Sequence, residues 1–277
     1  MAQIGKYNTL EIVRKVDFGV YLKDGDNNEI LLPGRYVPES AQPGDTVDVF
    51  VCFDSEDRII ATTERPYAQV GEFACLKVKA VNRVGAFLDW GLPKDILVPF
   101  REQRTPMKEG GSYVVYIYVD DESGRIAASA KLEKYLDNVP AEYEPNQCVD
   151  VLVTQRTDLG YKVIVDNLHS GMIYHNEIFA DVRKGDQLKG YIKQVRSDRK
   201  IDVSLQPLGY EKIEALSLRI LEELKDNDNY LPLSDKSPAD AVYAYFSCSK
   251  KNFKKAIGAL YKKQQILILE NGIRAIV

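Results

Sequence analysis

Internal repetition constrains this 277-residue chain more than any other feature. Three stretches overlie one another. Each opens on an apolar strand with a glycine inside alternating sequence: Phe18-Gly19-Val20-Tyr21-Leu22, Val84-Gly85-Ala86-Phe87-Leu88 and Leu159-Gly160-Tyr161-Lys162-Val163. About a dozen residues on comes a short apolar strand: Ile30-Leu31-Leu32-Pro33, Ile96-Leu97-Val98-Pro99 and Gly171-Met172-Ile173-Tyr174. A turn follows (Pro43-Gly44-Asp45, Glu109-Gly110-Gly111, Lys184-Gly185-Asp186), then an alternating strand, a tight polar turn and a last strand opened by Arg58, Arg125 or Lys200. Five short strands in roughly 65–70 residues, joined by turn residues, predict a small closed β-barrel built three times over.

A five-stranded barrel of this size is an OB-type fold, and one glycine within a strand suits a bend or a close backbone approach. The glycine strands resemble the F-G-x-F-V strand of S1 RNA-binding domains. That resemblance implies a binding face made of the two aromatics beside the glycine, a His on the next strand, and an Asp and Arg flanking the final turn. Carried over, it assigns Phe18, Tyr21, Asp54 and Arg58 in repeat one, with Pro33 where the His would be. In repeat two it assigns Phe87, Asp121 and Arg125, with Val84 replacing the first aromatic and Pro99 the His. Repeat three diverges: Leu159 and Lys162 stand at the aromatic positions, Tyr174 at the His position, Arg196 at the Asp position and Lys200 at the Arg position. Alternation by itself leaves open whether Phe18, Tyr21 and Phe87 are binding residues or barrel core. Two aromatics bracketing a glycine, with Asp54 and Arg58 at the right distance, favour binding. For Lys162 and Lys193 a solvated surface serves as well. Such faces bind RNA because unpaired bases stack on aromatics for ~1–3 kcal/mol each, while nearby cations hold the phosphates.

After Pro207-Leu208-Gly209 the period changes. Ile213, Leu216, Ile220, Leu221 and Leu224 recur at helical spacing, and Asp226-Asn227-Asp228-Asn229 breaks the pattern. Ser237-Pro238 reads as a helix start, with Ser at the N-cap and Pro at the first helical position. Ser249 reads as the cap of a third helix, 250–264. Asn271-Gly272, between Ile266-Leu267-Ile268-Leu269 and Arg274-Ala275-Ile276-Val277, reads as a hairpin turn. Three helices and a hairpin are the order of a winged helix. Lys250, Lys251, Lys254, Lys255 and Lys262 load the third helix, with Lys263 beyond them. In helix-turn-helix proteins the corresponding helix meets nucleic acid; a lysine-rich solvated face on a packing module is the rival reading. The expected division is mainly β with an α-rich end: barrels at 1–66, 67–138 and 142–208, and a winged helix at 210–277. The stretches 231–238 and 249–261 resemble the C-terminal signature of the CvfB-type (virulence factor B) family of bacterial RNA-binding regulators. The resemblance implies a cytoplasmic RNA-binding protein that controls gene expression, and it implies no reaction.

Composition limits the alternatives. Lys and Arg number 37 against 41 Asp and Glu, a formal charge of −4, so the chain as a whole is no polycation. The cations are concentrated instead: residues 249–277 carry seven basic side chains against Glu270 alone. No apolar run approaches the ~18 residues of a membrane span, and the first residues read as neither signal peptide nor myristoylation site. Cys52, Cys75, Cys148 and Cys248 make no compact metal spacing and read as ordinary buried thiols of a reduced compartment. His169 and His175 are the only histidines, and His169-Ser170 reads as a turn. Asp24-Gly25-Asp26-Asn27-Asn28-Glu29 lacks the glycine and the twelfth-position carboxylate of a calcium loop, and reads as a hairpin turn. No phosphate-loop or dinucleotide glycine pattern occurs, and neither cofactor nor metal is expected. The expected protein is therefore non-catalytic, binding single-stranded RNA with no membrane partner. Its rivals are a scaffold docking on ribosome or RNA polymerase components, and a DNA-binding regulator working through the winged helix.

Overall fold

The computed structural model describes residues 1–26, 28–175, 178, 181–207 and 210–276, with the side chains of 210–212 left aside. Asn27, Leu208, Gly209 and Val277 of the sequence reading lie outside the described residues. The chain forms two compact units, Met1–Leu205 and Gln206–Val277.

The first unit is three closed barrels. The first holds β1 (Tyr7–Val16), β2 (Gly19–Lys23), β3 (Glu29–Pro33), β4 (Thr46–Phe53) and β5 (Ile59–Thr62), in the order β1-β2-β3-β5-β4 around the wall. The second repeats this path with β6 (Phe73–Val81), β7 (Gly85–Asp89), β8 (Ile96–Pro99), β9 (Ser112–Val119) and β10 (Ile126–Ser129). The third does so with β11 (Cys148–Arg156), β12 (Gly160–Val165), β13 (His169–Tyr174), β14 (Gln187–Val195) and β15 (Ile201–Ser204). In each barrel the third and fifth strands run parallel and every other pair is antiparallel.

Alternation sorts the side chains. On β2, Val20 and Leu22 are buried while Tyr21 between them is not; on β7, Ala86 and Leu88 are buried while Phe87 is not. Each fully buried Leu, Ile or Val contributes about 1.5–3 kcal/mol, so these inward stripes fix the register. The repeated glycine has one physical cause in all three barrels. Gly19, Gly85 and Gly160 have φ of 153°, 157° and 155° and face Pro33, Pro99 and Tyr174 across the next strand. A Cβ there would lie 2.2, 2.3 and 2.0 Å from the carbonyl oxygens of Leu32, Val98 and Ile173. The turns match as well: the amides of Gly44, Gly110 and Gly185 donate to the carbonyls of Ile12, Val78 and Val153. Asp24 closes the β2–β3 turn by accepting from the amides of Asp26 and Asn28, and hydrogen bonding, first from the Asn28 side chain, draws its pKa down to about 2.

Neighbouring barrels within this unit share apolar cores. Phe50 of β4 meets Trp90 edge-on at 5.7 Å. Phe73 and Val114 of the second barrel pack with Leu152 and Ile164 of the third, and the Asn167 side chain bridges the Phe73 amide and the Gly71 carbonyl. Two expectations are corrected. His169 is no turn residue: it begins β13, buried, with Nδ1 2.9 Å from the Tyr143 hydroxyl and Nε2 2.9 Å from the Val139 carbonyl. Cys148 is exposed, because it opens β11 on the outward side of the alternation.

The second unit contains α1 (Tyr210–Asp226), β16 (Tyr230–Leu231), α2 (Ala239–Phe246), α3 (Lys250–Lys262), β17 (Ile266–Leu269) and β18 (Gly272–Ala275), with sheet order β16-β18-β17. Leu216, Ile220, Leu224, Val242, Phe246, Phe253, Ile257 and Leu260 build one core. Ser249 caps α3 by accepting from the Asn252 amide. The start of α2 differs from expectation: Pro238, with ψ 150°, is itself the N-cap, and the Ser237 hydroxyl accepts from the Ser234 amide. The hairpin turn also shifts by one residue, to Glu270-Asn271, with Leu269 opposite Gly272. Gly272 is needed for β16, whose Leu231 carbonyl oxygen lies 2.4 Å from where a Cβ would stand.

Candidate nucleic-acid interface

The outer face of the first barrel carries the aromatic pair. Phe18 precedes β2 and is 59% exposed, its ring edge-on to Tyr21 with centroids 6.4 Å apart. The Arg14 guanidinium lies 4.0 Å above the Tyr21 ring and is held by Glu29 through two hydrogen bonds. Neither ring belongs to the barrel core, which is built from Ile12, Val20, Leu22, Leu32 and their inward neighbours. Asp54 and Arg58 sit across the β4–β5 turn. The Asp54 carboxylate accepts from the Glu56 and Arg58 amides and from the Arg58 guanidinium at 2.8 Å. The Arg58 amide contributes most to holding the Asp54 carboxyl below its ordinary range.

In the second barrel Phe87 projects from β7, beside the exposed Val84, into a cleft of about 970 Å³ facing the first barrel. The residue equivalent to Asp54 is Asp120. Its amide donates to the Arg125 carbonyl at 2.8 Å as that of Asp54 does to Arg58 at 3.0 Å, while Asp121 sits one place further out on a turn longer by a residue. Arg125 ion-pairs with Asp57 of the first barrel, and Lys94 reaches the same carboxylate at 2.8 Å. Lys94 is the larger cause of the lowered Asp57 pKa. Arg101, not singled out in the sequence, pairs with Asp120 at 3.0 Å. Four cations line this cleft (Arg35, Lys94, Arg101, Arg125) against five carboxylates (Asp54, Asp57, Asp95, Asp120, Glu122).

A second cleft of about 1020 Å³ separates the second and third barrels. It brings together Lys162, Tyr174, Arg196 and Lys200 of the sequence reading, and adds Arg104, Arg156 and Lys184. Among the described residues, six cations here face three carboxylates, Glu133, Asp137 and Asp202. The Arg196 guanidinium donates to the Tyr174 hydroxyl at 3.3 Å and is held by Asp198, which also pairs with Lys200. The Arg196 hydrogen bond is the main cause of the strongly lowered Asp198 pKa. Arg104 and Arg156 lie outside the glycine and turn signatures, so repeat comparison could not find them; Lys184 opens the third repeat's turn, where the other repeats have Pro43 and Glu109 and no cation to compare it with.

In the second unit Lys251, Lys254, Lys255, Lys262 and Lys263 stand exposed along α3, and Lys250 is half-buried. Phe253, Ala256, Ile257 and Leu260 fill the inward stripe, which forces the lysines outward. Lys254 meets Asp235 at 3.9 Å. Tyr243 and Tyr261 are exposed on α2 and α3 and are further aromatic candidates. Among the described residues no group of His, Cys, Asp or Glu is arranged to hold a metal ion, and no helix is long and apolar enough to cross a membrane.

Comparison with known proteins agrees with this architecture. The S1 domain model matches residues 4–64 and 70–131, and the CvfB-like winged helix domain model matches residues 218–274. The Bacillus subtilis (strain 168) protein YitL is 29% identical over 281 residues, covering 97% of this chain and 92% of that protein. Conserved virulence factor B of Staphylococcus aureus (strain USA300) is 25% identical over 279 residues, with the same coverage. A solved multidomain protein with nucleic acid binding domains from Streptococcus pneumoniae TIGR4 is 26% identical, covers 99% of this chain and 98% of its own, and superposes with a TM-score of 0.42.

Proposed function

Because the chain is a homologue of conserved virulence factor B and of YitL, with S1 domains and a CvfB-like winged helix domain, we propose that it binds single-stranded RNA and regulates bacterial gene expression after transcription. Neither matched domain family is a family of enzymes, and the protein acts in this reading by binding alone, in the cytoplasm. Its working modules are residues 1–66, 67–138, 142–208 and 210–277.

The observation that carries the reading is the Phe18–Tyr21 pair: two rings outside the barrel core, one exposed and one under an arginine, on the face where S1 domains stack bases. Phe87 extends the stacking surface. Lys162, Arg196 and Lys200 hold phosphates in the cation-rich cleft, Tyr174 positions Arg196, and the α3 lysines add a further electrostatic patch. Arg58 and Arg125 reach phosphate only by exchanging their carboxylate partners, so Asp54 and Glu56 for Arg58, and Asp57 for Arg125, set how readily they do so. Modest sites on one chain add through effective concentration. Phe18→Ala combined with Tyr21→Ala is expected to weaken binding of a labelled single-stranded RNA by about tenfold or more, since each stacked base is worth ~1–3 kcal/mol, with the thermal midpoint nearly unmoved. Full RNA affinity in that variant would overturn the assignment of the face.

One observation favours a second reading for the first two barrels. The cleft between them carries no excess of cations, and a surface of that kind suits a protein partner such as a ribosome or polymerase component. Naked RNA then binds weakly even at low salt.

A further inference from the structure

Strand register exposes a difference between the third barrel and its two neighbours. A row of side chains crosses the outer face at the same place in each. In the first barrel it is Arg14, Tyr21, Leu31, Ile60 and Cys52; in the second it is Ala80, Phe87, Leu97, Ala127 and Tyr118. Both rows are apolar or aromatic through the middle, fit for stacking. In the third barrel the row reads Gln155, Lys162, Met172, Asp202 and Gln194, and the first four line the cation-rich cleft. A stacking surface has been replaced by a hydrogen-bonding one.

Asp202 is the telling member. It occupies the position of Ile60 and Ala127, is 5% exposed, and accepts from the Gln194 amide at Oδ2 at 2.7 Å. Its Oδ1 is buried with no partner. An unsatisfied buried carboxylate oxygen is costly and is tolerated where a ligand completes it. A carboxylate only accepts, so its complement is a donor. Cations are present around it already, yet none is placed on Oδ1, so this oxygen suits a donor brought from outside.

We propose that the third barrel selects guanine in a single strand, with Asp202 accepting from the base's Watson–Crick edge; this rests on the RNA-binding reading above. Guanine presents two adjacent donors, N1–H and N2–H₂, with the O6 acceptor beside them. The donors suit the carboxylate, and O6 suits the Lys162 ammonium or the Gln155 amide in the same row. Adenine and cytosine set a ring-nitrogen lone pair beside their single amine, and uracil flanks its one N–H with two carbonyls, so each turns a repulsive atom toward the carboxylate. An entering base must displace a neighbouring side chain to reach Oδ1, and flanking phosphates fall among Arg156, Arg196 and Lys200.

The test uses the full chain and labelled 12-mers of uridine carrying one central G, A, C or U, which avoids the self-association of guanine runs. The G oligomer is expected to bind about tenfold more tightly than the other three, within the range of one good base-edge contact. Asp202→Asn and Asp202→Ile, the latter installing the first barrel's residue, are expected to remove the preference, with a thermal midpoint equal to or above that of the parent. Free guanosine monophosphate, matched in base concentration, should compete poorly, since it lacks the neighbouring phosphates; equal competition would mean that the site takes a nucleotide and not a strand. Equal binding of all four oligomers, or a preference that survives both substitutions, would overturn the inference while leaving RNA binding intact. Failure of every oligomer to bind would overturn the underlying reading instead.

Discussion

Gly19 shows how much a single residue can carry. Its Cβ position lies 2.2 Å from the Leu32 carbonyl oxygen, a backbone atom that cannot swing away, and its φ of 153° suits few other residues. Gly19→Ala is expected to destabilise the protein by about 1–3 kcal/mol, the usual range for an overpacked site. Gly258 is the contrast: it lies within α3 with nothing near its Cβ position, so Gly258→Ala is expected to stabilise by about 0.5–1 kcal/mol. Differential scanning calorimetry on the two variants reads both signs, and a stable Gly19→Ala would refute the close-approach account. The role of these glycines was legible because the repeat displays it three times. Asp120 was not: counting four residues back from Arg125 lands on Asp121, since spacing alone assumes equal turns and this turn is longer by one. Asp202 was equally hidden, because its meaning comes from Met172 and Gln194 across the sheet, neither of them near it in a motif.

At the scale of elements, the turn before the last strand of each barrel decides which cations are available. Asp57, in the left-handed region at φ 61°, binds both Lys94 and Arg125 of the next barrel. Asn tolerates that backbone conformation, so Asp57→Asn removes the charge without changing the turn. Freed of their partner, the two cations can meet phosphate. Single-strand affinity should rise at low salt, and the slope of log affinity against log salt should steepen by about 0.7 for each additional phosphate neutralised. An unchanged slope would show that these cations never face the strand. The strands and helices themselves were readable from period and caps, as Ser249 on α3 illustrates. Where reading missed, a tertiary contact had overridden a local rule. β16 is two residues long, too short for any period, and it is defined by pairing with β18; Gly272 belongs to a strand because it pairs with Leu269 of β17, which moves the turn to Glu270-Asn271.

For the whole molecule, a net charge of −4 says little about where a polyanion goes; the distribution of ion pairs says more. Among the described residues, the cations facing the first cleft are largely matched by carboxylates, those of the second outnumber them two to one, and the second unit carries the α3 lysines. Tandem barrels followed by a winged helix were legible because repeats and a change of period survive divergence. The clefts were not, since they arise where one barrel packs on the next through residues such as Phe73 and Leu152 that no motif marks. The central claim is single-strand RNA binding, and the most direct measurement is fluorescence anisotropy of a labelled single-stranded RNA across ~50 to ~300 mM salt, with duplex DNA as competitor. Affinity that falls steadily with salt and survives excess duplex is the predicted result. No binding at the lowest salt, or binding that the duplex abolishes, would contradict it.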